Sequence, residues 1–70
     1  MTTTYQLWRD DCLLLAGCLS TDAPKRAAAK DAYNEACRGT KPAYYIRTDS
    51  GQLVAMGRRY NSRMTWRRSC

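Results

Sequence analysis

Six arginines between positions 47 and 68 are the residues of this chain best suited to chemistry: Arg47, Arg58, Arg59, Arg63, Arg67 and Arg68. That chemistry is anion recognition. A guanidinium presents a planar fork of donors that grips phosphate or carboxylate through paired hydrogen bonds and also stacks on aromatic rings. No lysine stands among them, although lysine would serve equally well for solubility. Tyr45, Tyr60 and Trp66 interleave with them, as on surfaces that hold single strands through stacking and charge. The charge is also sorted along the chain. Residues 1–39 balance five bases (Arg9, Lys25, Arg26, Lys30, Arg38) against five acids (Asp10, Asp11, Asp22, Asp31, Glu35), whereas residues 40–70 set Lys41 and the six arginines against Asp49 alone, so the net +6 lies there. A field directed in this way suits an anionic partner. A plainer reading stands beside it, because solvated arginines also keep a small sheet soluble and guard its edge.

Other chemistry finds little support. The chain has no histidine, so it lacks the commonest general base and metal ligand. Its four glycines form no phosphate loop. Asp10 and Asp11 are adjacent, which suits a turn better than a carboxylate dyad. Cys12, Cys18, Cys37 and Cys70 contain no C-x-x-C pair and are expected to be free thiols, with Cys70 terminal and exposed. No enzyme activity, metal or cofactor is expected. A second, weaker binding candidate is the helix face Lys25, Arg26, Lys30, with Asp31 and Glu35 neutralising it in part.

These residues need elements to position them. Seventy residues make one domain, 1–70, with a core so small that dimerisation would be a natural supplement. Ser20-Thr21-Asp22 and Pro24 open a helix, the Ala-rich stretch 27–36 continues it, and Gly39 with Pro42 ends it. Helical spacing predicts that Ala29, Ala32, Tyr33, Ala36 and Cys37 face the core. Ala43–Arg47, Leu53–Met56 and Arg63–Arg68 read as strands, separated by turns at Thr48–Gly51 and Arg59–Ser62. Period-two alternation places Tyr44, Ile46, Met64 and Trp66 against the helix. Tyr45, Arg47, Arg63 and Arg67 then face outward, with Arg58 or Arg59 able to join them from the turn.

The first 20 residues admit two readings. As a hairpin, Thr4–Trp8 and Cys12–Cys18 are strands about an Arg9-Asp10-Asp11 turn. As a helix, Trp8, Cys12, Leu15 and Leu19 form a stripe. The hairpin is preferred, because Gly17 weakens a helix interior and the threonines suit a strand. The expected fold is α+β, a small antiparallel sheet packed on one helix in the order β-β-α-β-β-β, with α-α-β-β-β as the alternative. The longest apolar run, Cys12–Leu19, is far short of the roughly 20 residues that span a bilayer. No signal peptide or membrane partner is expected, and the location expected is the cytoplasm of a bacterial host.

Leu19-Ser20-Thr21-Asp22-Ala23-Pro24-Lys25-Arg26 opens the helix, and Arg38-Gly39-Thr40 leads into a strand, a Thr-Asp-Ser-Gly turn and a final basic strand with Trp66. This layout, over about 50 of the 70 residues, resembles small phage-encoded proteins, including anti-CRISPR inhibitors of type I surveillance complexes. The resemblance is architectural and rests on no specific motif. It implies a non-enzymatic protein that occupies a surface of a host nucleoprotein complex and inhibits it. The partner would then be that complex or an acidic protein surface. The alternative is a direct, sequence-nonspecific DNA- or RNA-binding protein using the same arginine and tyrosine face.

Overall fold

The structure is a computed structural model that describes residues 2–69. Its β-rich segments give five strands: β1 (Tyr5–Arg9), β2 (Cys12–Cys18), β3 (Tyr44–Thr48), β4 (Leu53–Tyr60) and β5 (Arg63–Arg68). One helix, α1 (Asp22–Cys37), lies between β2 and β3 in the chain. The strands form a single antiparallel sheet in the order β2-β1-β3-β4-β5. The fold is therefore α+β in the order β-β-α-β-β-β, and the helical reading of the N-terminal segment falls. Among the described residues no helix is long and apolar enough to cross a membrane.

Turn chemistry sets the strand ends. Asp10 adopts φ 50° in the β1–β2 turn. Gly51, at φ 91°, closes the Thr48–Gly51 turn by donating its N–H to the Thr48 carbonyl at 2.9 Å. The third turn differs from expectation. β4 runs on to Tyr60, so Arg58, Arg59 and Tyr60 are strand residues, and only Asn61 and Ser62 turn. Both have positive φ (49° and 71°), the handedness that matches the twist of a two-residue hairpin.

The helix starts after Thr21, whose side chain makes no capping bond, and the Ser20 hydroxyl accepts the Asp22 N–H at 3.3 Å. It ends in a Schellman arrangement, in which the Gly39 N–H donates to the Ala36 carbonyl and the Thr40 N–H to the Glu35 carbonyl. Gly39 takes the φ of 83° that this closure requires.

α1 packs on one face of the sheet. The core is Leu7, Ala28, Ala32, Tyr44 and Ile46, lined by Tyr5, Leu14, Leu15, Val54, Met64 and Trp66. The expected helix stripe is displaced. Ala32 is buried as expected, but with Pro24 and Ala28, whereas Ala29, Tyr33 and Cys37 are exposed. A run of alanines carries too little contrast to fix the rotation. A polar pin fixes it instead. Asp31 on α1 accepts from Arg9 on β1 at 2.9 and 3.0 Å and from the Tyr44 hydroxyl on β3 at 2.5 Å, and Glu35 stands 3.7 Å from Arg9. Tyr44 is fully buried, so this bond satisfies the one polar atom of its side chain in the core.

Candidate functional site: the uncovered sheet face

An antiparallel sheet can leave one face to water, and the face opposite α1 is uncovered here. Residues paired directly across antiparallel strands share a face. Register therefore draws one row across all five strands: Leu13 pairs with Trp8, Trp8 with Tyr45, Tyr45 with Met56, and Met56 with Arg67. Beside this row Arg47 pairs with Gln6, Arg58 with Thr65, and Tyr60 with Arg63.

Arg47 is held in place by its neighbours. Its guanidinium carbon lies 5.1 Å from the Trp8 ring centre and 5.3 Å from that of Tyr45, within cation–π range of both. The Trp8 indole N–H donates to Gln6 Oε1 at 3.0 Å, which fixes the ring beneath the arginine. Further along the face, Met56, Gly57, Arg58, Tyr60, Thr65 and Arg67 line a shallow groove of about 340 Å³. Met56 (41% exposed) and Tyr60 (70%) offer apolar surface there. Among the described residues, carboxylates pair only with Arg9 and Arg38, so Arg47, Arg58, Arg63 and Arg67 have no internal counter-charge.

The face gathers Tyr45, Arg47, Arg58, Arg63 and Arg67. It does not gather the other two arginines. Arg59 pairs with Met64, on the helix side, and its guanidinium carbon lies 5.3 Å from the exposed Tyr33 ring. There it borders a second groove, shared with Ala36, Lys41 and Asn61, between the end of α1 and the β4–β5 hairpin. Arg68 pairs with Ala55, a buried residue of the helix side. Alternation explains both corrections: once β4 is continuous through Tyr60, Arg58 and Arg59 must point to opposite faces, as must Arg67 and Arg68. Trp66 faces the helix, as its alternation with Met64 predicts, so of the interleaved aromatics Tyr45 and Tyr60 lie on the open face. Trp8, Met56 and Leu13 belong to the face as well. A period-two reading of Trp8 with Gln6 hints at its direction, but the pairing of β1 with β3 spans some 40 residues of sequence and has no local signal.

On the helix, Lys25, Arg26 and Lys30 are exposed. Asp31 and Glu35 do not neutralise them, because both turn toward Arg9. Cys12, Cys18 and Cys37 are free thiols, and Cys70 lies outside the described residues. Comparison with known proteins finds no matching family model, curated protein or solved structure.

Proposed function

We propose that this chain is a non-enzymatic binding protein of the bacterial cytoplasm. It docks through its open sheet face on an acidic protein surface of a host nucleic-acid-handling complex and inhibits that complex. The composition of the face carries this reading. Tyrosine, tryptophan, methionine and arginine are the residue types enriched in protein–protein interfaces, and lysine, aspartate and glutamate are depleted there. The open face presents Trp8, Tyr45, Met56 and Tyr60 with Arg47, Arg58, Arg63 and Arg67, and no strand residue facing that way is Lys, Asp or Glu. The three lysines of the chain, Lys25, Lys30 and Lys41, all lie outside the strands, on α1 and the segment after it. The resemblance to anti-CRISPR inhibitors supplies the class of target.

The experiment is plating of a phage targeted by a type I CRISPR system on hosts that express the chain, paired with nuclease-treated affinity capture. Restored plating and a nuclease-resistant complex are expected, both lost on reversing Arg58 and Arg67 to Glu and both kept on reversing Lys25 and Lys30. Unrestored plating in every type I system tested would remove the inhibitor assignment.

One observation favours a second reading, direct binding of single-stranded nucleic acid. Arg47 stacked against Trp8 and Tyr45 is the kind of platform on which bases stack. In that case capture is nuclease-sensitive and a gel shift at low salt shows binding without any protein partner.

A further inference from the structure

The two edges of the sheet are built differently. β5 carries Arg63, Arg67 and Arg68, and such charges keep an edge from pairing. β2, at the opposite edge, reads Cys-Leu-Leu-Leu-Ala-Gly-Cys and has no charge, and the uncharged stretch continues to Thr21. Cys12, Leu13, Ala16 and Leu19 are exposed along it, Leu13 by 49% and Leu19 by 76%. β2 is instead irregular. Its pairing with β1 shifts register on both sides of the Leu7–Leu15 pair, once between Leu13 and Leu15 and once between Leu15 and Cys18. The two irregularities therefore flank Leu15, and Cys12 and Cys18 lie three residues from it on either side.

We infer that β2 pairs antiparallel with β2 of a second copy about a two-fold axis at Leu15, giving a homodimer with a continuous ten-stranded sheet. A regular strand meets a mismatch at each bulge. A second copy of β2 does not, because the two-fold axis sets the irregular turn of one copy against the irregular turn of the other: Leu14 faces Ala16 of the second copy, and Cys12 faces its Cys18. An isologous contact needs this kind of self-complementarity. Charge agrees. Two chains of net +6 repel, and the β2 edge is the one farthest from β5, roughly 19 Å across the sheet at the usual strand spacing. Beyond the paired strands, the Asp10–Asp11 turn of one copy then lies near the segment 19–21 that leads into α1 of the second. That places the acidic hairpin toward the positive end of the helix dipole and toward Lys25 and Arg26. The row that begins at Leu13 would continue into the second copy, so the dimer presents two open faces side by side.

The test is sedimentation of the full chain under reducing conditions, with disulfide trapping as a second measurement. A species of twice the 8.0 kDa chain mass is expected, and Ala16→Asp should shift it to monomer with an unchanged circular dichroism spectrum. For trapping, Cys37 and Cys70 are replaced by serine. Directly opposed residues on antiparallel strands have Cα atoms about 4.5–5.5 Å apart, within the reach of a disulfide. Mild oxidation should then give a covalent dimer that needs both Cys12 and Cys18. The two cannot join within one chain, since a strand separates them by roughly 20 Å. A monomer at all concentrations overturns the inference. So does a dimer that forms no Cys12–Cys18 bond, because it must use another surface. If Ala16→Asp unfolds the chain, the trapping result decides alone.

Discussion

Gly57 shows how closely single residues are matched here. A Cβ built on Gly57 would sit 2.6–2.8 Å from the Trp66 ring, which lies across the glycine on the core side of the sheet. Gly57→Ala should therefore cost about 1–3 kcal/mol, the range for overpacking a filled site, and lower the urea midpoint accordingly. Asp31 is matched in a different way. It is the shared acceptor of Arg9 and Tyr44, and Asp31→Ala leaves the buried Tyr44 hydroxyl without its acceptor and Arg9 with only the longer Glu35 contact, for a loss of about 1–3 kcal/mol in chemical denaturation. Burial first, and then the Asp31 carboxylate, push the Tyr44 hydroxyl well above its ordinary 10.0. Below pH 10 folded and unfolded chains both keep that proton, and the contribution is complete. As pH rises past 10 only the unfolded chain releases it, so stability falls with pH. Tyr44→Phe should start lower and show a flatter decline above pH 10, followed by unfolding curves at stepped pH. Arg47 belongs to the open face that is proposed to bind. Arg47→Ala should weaken partner binding by about 2 kcal/mol, as a central arginine anchor does, and Arg47→Lys should recover only part because an ammonium does not stack as a plane.

At the level of elements, α1 joins the sheet through small apolar side chains and the Asp31 pin. Its core-facing side chains are small, which brings it close to the sheet but gives little hydrophobic return per residue. Gly39→Ala should destabilise by about 1 kcal/mol, since its φ of 83° is strained for alanine, and thermal unfolding will show it. The strands after the helix were readable because Tyr44, Ile46, Met64 and Trp66 alternate cleanly with Tyr45, Arg47, Arg63 and Arg67, and a pleated strand has no choice about where alternate side chains go. The helix rotation was not readable, because Ala27, Ala28 and Ala29 are equivalent as sequence and Asp31 decides between them only through a residue on β1. Nor was the side of Arg59, whereas that of Arg68 follows from the alternation of Arg63–Arg68 itself. With Arg59 read as a turn residue the alternation stops at Met56, and the four further strand residues Gly57–Tyr60 move Arg59 to the helix side. The β2 bulges leave no mark in the sequence beyond Gly17, whose φ of 76° suits such an irregularity.

For the whole molecule, charge and shape are divided between two sides. The helix side carries the core, the Arg9–Asp31–Glu35 pin and three lysines; the open side carries four arginines that pair with no carboxylate among the described residues. Salt separates the two readings of that open side. Binding to single-stranded nucleic acid through these four arginines would weaken with a logarithmic slope of about −3, at roughly −0.7 per phosphate contact. Docking on a protein is expected to show a shallower loss, mainly in association rate. The same division gives the chain an optical consequence. Its two tryptophans lie on opposite faces, Trp8 under Arg47 in the open and Trp66 over Gly57 against the core. Their emission reports different events: a partner arriving on the open face quenches or shifts Trp8 while leaving Trp66 alone, and loosening of the core moves Trp66. With Trp8→Phe and Trp66→Phe as single-emitter versions, one fluorimeter reads occupancy and integrity as separate channels in an unlabelled protein.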